Sequence, residues 1–266
     1  MLGPGPLLSG RRAVVTGGGG GIGRGIATLF AQHGASVVVA EVDASRADEM
    51  RSVVDVAVEC DVTTAEGVAA LVDAAGDDVD VLVNNVGHYL FRRHDFAEST
   101  EDEWEQLHSV NLLHVLRCTR AFLPAMLRLG RGSIVNVSTV EAFRAAPQHA
   151  VYSAYKAAIT GFTRTLAMEV GNAGVRVNAI APDLTQSLQV PYDRWVPPEQ
   201  EHLIPTWVPV GRFGTADDVA GVALFLASDL SAFVTGTTVH ADGGSLAAGG
   251  WFRTERGGWT NRPLNP

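Results

Sequence analysis

The stretch TGGGGGIG, Thr16 to Gly23, decides the fold because it joins a strand to a helix. The apolar segment Ala13 to Thr16 precedes it, and a helical pattern from Arg24 to His33 follows it. Such a glycine turn reverses tightly, lets the backbone approach a pyrophosphate and lets the helix pack closely on the strand. These three properties are assigned to Gly17, Gly21 and Gly23. A flexible glycine-rich linker is the alternative, but a linker would not need a strand before it and a helix after it.

A carboxylate follows the second predicted strand, Ser36 to Ala40. Glu41 stands 18 residues after Gly23, where an acidic side chain can hydrogen-bond the ribose of an adenosine. A 2′-phosphate on that ribose would be repelled there, and Asp43 follows closely. The position therefore favours an adenosine ribose that carries no 2′-phosphate. A solvated loop carboxylate is the alternative, and Arg46 could be recruited to a 2′-phosphate only if the loop bent back.

The rest of the chain alternates strands with helices, which predicts an α/β protein with a parallel sheet. The 266 residues, 46% of them hydrophobic, suit one dinucleotide-binding domain over residues 1–266. We expect its core over about residues 8–244, a substrate lid at 186–210 and a C-terminal tail at 245–266. A long helix is predicted from about Glu101 to Leu129, with Asn111 inside it and an interruption at Pro124.

Composition limits the partners and the compartment. The net charge of −9 and the isoelectric point near 5.3 argue against nucleic acid or an anionic membrane as a partner. Cys60 and Cys118 lie far apart without metal-ligand spacing, so we expect thiols in a reducing compartment and no metal. The N-terminus lacks the apolar core of a signal peptide, and no run of ~18 apolar residues is present. We therefore expect a soluble, cytoplasmic protein.

Tyr152 and Lys156 are four residues apart in an Ala-rich segment that favours helix, so both side chains lie on one face. A cation there favours the phenolate of a tyrosine, whose ordinary pKa is ~10. Tyr155 points to another side of the helix. An ordinary amphipathic helix explains the pair equally well when the pair is taken alone. Upstream, however, a predicted strand ends in Ser138 and Thr139, at the edge where open α/β sheets bind ligands.

Together these motifs resemble the short-chain dehydrogenase/reductase family over about residues 8–244. They occur in the order TGGGGGIG, Asp61-Val62, NNVG at Asn84 to Gly87, Asn111, the hydroxyls at the strand end, YSAYK, and APD after the sixth strand. The resemblance implies a Rossmann-type doubly wound parallel sheet of about seven strands flanked by helices. It also implies a nicotinamide cofactor and a homotetramer built in part from the long helices.

The resemblance further implies roles for individual residues. Asn111 would hold a water that relays protons to Lys156, and Lys156 would also bind the nicotinamide ribose. The implied catalytic residues are Asn111, Thr139, Tyr152 and Lys156. The implied cofactor-binding residues are Gly17, Gly19, Gly20, Gly21, Ile22, Gly23, Glu41, Asp61, Val62, Asn85, Gly87, Tyr152, Lys156, Pro182, Thr185 and Ser187.

Two positions depart from the family pattern. The family's catalytic serine lies 13 residues before its tyrosine, which is Thr139 here. Successive strand residues point to opposite faces, so the hydroxyl role is assigned to Thr139 and not to Ser138. Threonine keeps a hydroxyl that donates and accepts. Asp183 stands where the family usually has glycine, at the nicotinamide end of the site.

We expect an enzyme that interconverts a small-molecule secondary alcohol and its ketone by NAD-dependent hydride transfer. Tyr152 is the acid and base, and Lys156 with the nicotinamide charge holds its pKa down. One alternative is an NADPH-dependent ketoreductase, for example one that acts on 3-oxoacyl thioesters. A cofactor-sensing protein without turnover is a second. An epimerase or dehydratase of nucleotide sugars is a third, but it needs a larger C-terminal substrate domain.

The candidate substrate contacts are His88, Glu141, Trp195 and Trp207, the last two as part of an apolar lid. Packing of the lid, a subunit contact or a solvated loop explains these residues equally well. His149 and Arg144 are expected at the surface. The tail from Trp251 to Pro266 is expected to dock near a substrate pocket, because its tryptophans are costly to leave in water.

Overall fold

The computed structural model describes residues 5–90, 94–187, 190–191, 196–204 and 208–249, together with the backbone of residues 252–253 and 259–260. Its centre is one sheet of parallel strands, which are β1 (Arg12–Thr16), β2 (Ser36–Glu41), β3 (Val56–Glu59), β4 (Val81–Asn84), β5 (Gly132–Val137), β6 (Val175–Pro182) and β7 (Thr238–Ala241). The strands lie in the order β3-β2-β1-β4-β5-β6-β7. The predicted parallel sheet of about seven strands is confirmed.

Helices cover both faces of the sheet, so the predicted doubly wound arrangement is also confirmed. The helices are α1 (Gly21–Gln32), α2 (Ala44–Met50), α3 (Ala65–Ala75), α4 (Glu101–His108), α5 (His114–Leu129), α6 (Ala150–Val170), α7 (Ala216–Ala227) and α8 (Ser245–Ala248). Ile26 and Phe30 of α1 pack with Val219 of α7 in one buried cluster. Phe122 of α5 and Leu166 of α6 belong to a second cluster. Central strands such as β1 are apolar on both faces because both are covered.

Strand order fixes where a ligand can bind. β1 pairs with β2 on one side and with β4 on the other, so the chain winds away from β1 in both directions. The loops after β1 and β4 therefore diverge and leave a crevice at the carboxyl ends of the strands, which is the usual ligand site of open α/β sheets. The glycine turn follows β1, and NNVG begins at the end of β4.

The long helix is interrupted at Asn111, and the predicted interruption at Pro124 is wrong. Residues Ser109–Leu113 form a π-helical segment between α4 and α5. Pro124 lies inside α5, which continues through it. Pro124 and Arg120 are both exposed, so water can solvate the carbonyl that the missing proline N–H leaves free. A π-helical turn often marks a functional site, and here it carries Asn111.

Two short strands, β8 (Phe252–Arg253) and β9 (Trp259–Thr260), pair with each other in antiparallel fashion. The predicted docking of the tail beside a pocket concerns side chains outside the described residues. None of the helices in the described ranges combines the length and apolar character that crossing a membrane requires.

Candidate active site

The glycine turn leaves no room for side chains between β1 and α1. Gly17 and Gly21 have φ angles of 63° and 50°, in the left-handed region that favours glycine. A methyl group added at Gly23 would lie 2.1 Å from the carbonyl oxygen of Gly17. Gly20 precedes α1 without a side-chain cap, so the first N–H groups of the helix can bind an anion. Gly17, Gly20, Gly21 and Ile22 line the large cavity at this edge of the sheet.

Glu41 is tied to the glycine turn. Its Oε2 accepts a hydrogen bond of 3.0 Å from the backbone N–H of Gly19. Its Oε1 accepts from the backbone N–H groups of Val42 and Asp43 at 3.0 and 3.1 Å. Only 6% of the residue is exposed, and it lines the cavity. A methyl group at Gly19 would lie 2.6 Å from Oε2, so this position needs glycine.

Arg46 already stands at this end of the cavity, and the expectation that the loop must bend back is wrong. A methyl group added at Gly19 would lie 2.8 Å from the Cβ of Arg46. Arg46 lines the cavity beside Glu41. Its guanidinium lies 3.8 Å from the carboxylate of Asp43, and its side chain is 43% exposed. Arg46 stands there because it belongs to α2, a helix that the sequence pattern did not predict. Asp43 caps this helix, since its side chain accepts a hydrogen bond from the backbone N–H of Arg46.

The middle of the cavity is lined by the loops after β3 and β4. The carboxylate of Asp61 is exposed and accepts from the hydroxyl of Thr63 at 2.7 Å, whereas Val62 is buried. The side-chain amide of Asn85 donates to the carbonyl oxygens of Thr16 and Gly17 at 3.0 and 3.2 Å. Asn85 therefore holds the glycine turn against the end of β4.

Asn111 and Lys156 meet at Gly87. A methyl group at Gly87 would lie 2.5 Å from the Lys156 Nζ and 3.2 Å from the Asn111 Oδ1. The Asn111 Oδ1 accepts from the backbone N–H of His88 at 3.1 Å. Its Nδ2 donates to the carbonyl oxygens of His88 and Leu107 at 2.8 and 3.0 Å. The π-helical segment thus fixes the loop that carries His88 at the cavity wall.

Tyr152 and Thr139 both line the cavity, and the Thr139 hydroxyl donates to the backbone carbonyl of Pro182 at 3.5 Å. Thr139 also caps the short 3-10 helix that follows β5, because its hydroxyl accepts from the N–H of Glu141. Ser138 is buried, and its hydroxyl donates to the backbone carbonyl of Lys156 at 3.0 Å. Tyr155 lies away from the cavity lining, with its ring 5.3 Å from that of His108.

The electrostatics of Tyr152 differ from the expectation. Burial raises the pKa of its phenol above the ordinary value, the charge of Glu141 raises it further, and the polar neighbour Thr139 acts in the opposite direction. The Lys156 Nζ donates to the carbonyl of Val137 at 3.0 Å and lies 5.9 Å from the Tyr152 ring centroid. Burial lowers the pKa of Lys156 to about 8.

The far end of the cavity is formed by the loop after β6. Asp183 pairs with Arg144 at 2.6 Å and accepts from the Ser245 hydroxyl at 2.5 Å. Burial raises the pKa of Asp183, with Arg144 opposing. Thr185 donates to the Asp183 carbonyl at 3.0 Å. The cavity is lined here by Pro182 at the end of β6 and by the loop residues Asp183, Leu184, Thr185, Ser187 and Val190.

The prediction that His149 and Arg144 lie at the surface is wrong. His149 is 7% exposed, and the side chain of Arg144 is 10% exposed. The Nδ1 of His149 lies 3.2 Å from the carboxylate of Glu141. Its ring stacks on Tyr89, with centroids 5.6 Å apart, and meets the edge of Tyr152 at 5.8 Å. Arg144 is buried because Asp183, the acid that stands where the family usually has glycine, is its charge partner.

His114 is a second buried histidine that the sequence analysis did not select. It is fully buried at the start of α5, and neither ring nitrogen has a hydrogen-bond partner of good geometry in the described part of the chain. Burial lowers its pKa to about 3, and the charge of Lys156 contributes. The ring is therefore neutral at physiological pH.

The cavity has a volume of about 880 Å³ and extends from Glu41 to Tyr152. His88 and Glu141 line it beside Tyr152, as predicted for substrate contacts. Trp195 and Trp207 lie outside the described residues. In the segment predicted as a lid, Val196 and Val208 form a small apolar cluster with Leu184.

Comparison with known proteins gives consistent matches over most of the chain. A family model described as enoyl-(acyl carrier protein) reductase matches residues 17–245. The 3-oxoacyl-(acyl-carrier-protein) reductase FabG of Chlamydia muridarum is 37% identical over 265 residues, covering 90% of this chain and 98% of that protein. D-xylose 1-dehydrogenase of Caulobacter vibrioides is 35% identical over 246 residues, covering 90% and 97%.

Solved structures agree. A Beutenbergia cavernae protein, provisionally named an NAD(P)-dependent gluconate 5-dehydrogenase and containing NADP at low occupancy, has a TM-score of 0.81 and 38% identity. The match covers 91% of this chain and 100% of that one. The fold and site thus define an oxidoreductase with a nicotinamide cofactor. The chain belongs to the short-chain dehydrogenase/reductase family.

Proposed function

We propose that the protein catalyses reversible hydride transfer between a secondary alcohol and its ketone, with NAD as the cofactor. One observation carries the proposal: Tyr152, Thr139 and Lys156 lie at one end of a cavity whose other end is the glycine turn and Glu41. The turn fits a pyrophosphate, because its glycines leave backbone N–H groups exposed at the start of α1.

The residues divide the work of the reaction. In oxidation Tyr152 accepts the proton of the substrate hydroxyl, and Thr139 hydrogen-bonds the substrate oxygen. Lys156 supplies a buried positive charge and would bind the ribose next to the nicotinamide. NAD would supply the hydride acceptor and a positive charge that would oppose the rise in the Tyr152 pKa. Asn111 would hold a water that relays protons to Lys156, since the two side chains meet at Gly87.

The raised pKa of Tyr152 predicts opposite pH trends for the two directions. Below its pKa the phenol is protonated and ready to donate to a ketone, so reduction is favoured near neutral pH. Oxidation needs the deprotonated phenol and should accelerate as the pH rises. Initial rates in both directions across a pH series measure this. An oxidation rate that fell steadily above neutral pH would contradict it.

The proposed preference for NAD rests on the buried carboxylate of Glu41. A ribose hydroxyl can donate to it, whereas a 2′-phosphate brings roughly two negative charges against it. We predict at least about a tenfold preference for NAD in kcat/KM, equivalent to ~1.4 kcal/mol. Glu41→Ala should erode the preference. Equal use of NADP by the wild-type enzyme would show that Glu41 does not govern the choice.

NADP is the second candidate, and Arg46 is the observation that favours it. Its side chain lines the same end of the cavity and is 43% exposed, so it is available to a phosphate. The Beutenbergia cavernae relative contains NADP. Arg46→Ala separates the two cases: it should lower kcat/KM with NADP selectively if Arg46 binds the 2′-phosphate, and affect NAD little.

A substrate panel tests the function itself. Purified protein is mixed with NAD or NADP and a set of secondary alcohols and ketones, and the absorbance of the reduced nicotinamide is followed. Turnover with at least one pair is expected. Cofactor binding without turnover on any member would support a sensing protein in place of an enzyme.

We also propose that the protein is a cytoplasmic homotetramer. Support comes from large apolar side chains exposed on the isolated chain, among them Met168 of α6 and Leu127 of α5, which are 87% and 41% exposed. Exposed apolar groups on the long helices are suited to contacts between subunits.

A further inference from the structure

We propose that Glu141 and His149 form a recognition pair for a hydroxyl group that neighbours the reacting carbon of the substrate. The substrate class is then a neutral polyhydroxylated alcohol or ketone, such as a sugar or polyol. This inference rests on the proposed function, because it names the substrate of the same site.

The position of the pair places it against the reacting group. Glu141 is two residues after Thr139, which lines the cavity together with Tyr152. His149 meets the edge of the Tyr152 ring at 5.8 Å between centroids. Glu141, His149, Thr139 and Tyr152 all line the cavity. A group bound by the pair therefore lies next to the carbon whose oxygen faces Tyr152.

The pair is held rigidly. The carboxylate Oε2 of Glu141 lies 3.2 Å from the Nδ1 of His149, and the two side chains are only 15% and 6% exposed. His149 is stacked on Tyr89 with an angle of 19° between the rings. Its Nε2 is buried and has no hydrogen-bond partner among the described residues. A carboxylate and an imidazole oriented in this way offer hydrogen bonds to a ligand that both donates and accepts, as a hydroxyl does.

Charge and solvation exclude the other substrate classes. Beside Tyr152 the described cavity wall carries the carboxylate of Glu141, which repels an anionic group, whereas the charge of Asp183 is already paired with Arg144. The acyl chain of a thioester has no hydrogen-bond donor for the carboxylate of Glu141. Methylene groups that cover this carboxylate would remove its hydrating water without replacing the lost hydrogen bonds. A vicinal hydroxyl donates to the carboxylate and avoids both costs.

Matched substrates test the pair. Cyclohexanol and the vicinal cyclohexanediols differ by one hydroxyl, and both are uncharged. With NAD, the wild-type enzyme is expected to favour a diol by roughly tenfold or more in kcat/KM. Glu141→Gln and His149→Phe should each reduce this ratio to within about threefold, mainly through KM of the diol. Glu105→Gln, an exposed acid on α4, is the matched control and should keep the wild-type ratio.

The outcomes separate the inference from the proposed function. Equal efficiency with alcohol and diol, or a ratio that survives Glu141→Gln, overturns the pair while leaving the function intact. A 3-oxoacyl thioester reduced more efficiently than a hydroxyketone also overturns it. No turnover with either alcohol, although NAD binds, overturns the proposed function itself. NAD binding by each variant, measured by fluorescence titration, shows that the cofactor site remains folded.

Discussion

Replacing Tyr152 with Phe is expected to lower kcat on the order of a thousandfold or more, because loss of a general acid and base costs about 10²–10⁴. Tyr152 lines the cavity at the same end as Thr139 and Lys156. Phe keeps the ring that packs on His149, so the site should remain folded. Steady-state rates and a titration of NAD binding measure the two effects separately, and binding should persist.

Tyr155→Phe is the matched control for this change. Its ring contacts His108 on α4 and lies away from the cavity lining, so most of the activity should remain. If Tyr155→Phe were the inactive variant, the assignment of Tyr152 as the acid and base would be wrong.

Thr139→Ala has the second largest expected effect, a loss of about a hundredfold in kcat, as for other donors that hold a reacting oxygen. The variant removes the cavity-lining hydroxyl that would orient the substrate oxygen. Thr139→Ser should restore most of the rate, since serine keeps the donor and loses only the methyl group. Both effects are read from kcat and KM with one alcohol.

Ser138→Ala separates the two neighbouring hydroxyls. Ser138 donates to the Lys156 carbonyl inside α6, so its loss should lower stability by about 1 kcal/mol with little change in rate. Thermal unfolding of both variants beside their kinetics gives the comparison. A large loss of activity in Ser138→Ala with none in Thr139→Ala would reverse the assignment.

The parts of the fold that follow from local chemistry were predictable. Glycines between an apolar strand and a helix predicted the phosphate turn, and runs of valine predicted the buried strands. The alternation of strand residues predicted that Ser138 and Thr139 point to opposite sides, and their hydroxyls do have different partners, the carbonyl of Lys156 for Ser138 and that of Pro182 for Thr139.

The parts that depend on distant contacts were not predictable. His149 turns inward after Gln148, which has a φ of 67°, and nothing in the sequence signals a left-handed glutamine there. Arg144 is buried because Asp183, 39 residues later, supplies its charge partner. The π-helical turn at Asn111 reflects side-chain bonds to the backbone of His88 and Leu107, which helical periodicity does not report.

Transfer of deuterium tests most directly whether the protein moves a hydride between the alcohol carbon and the nicotinamide. The enzyme is incubated with NAD and a secondary alcohol that it oxidises, labelled with deuterium at the carbinol carbon, and the reduced cofactor is analysed by mass spectrometry and NMR. Direct hydride transfer predicts one deuterium on the nicotinamide ring, on a single face, and unlabelled solvent. Reduced cofactor without deuterium, or ketone formed without reduced cofactor, would contradict the account.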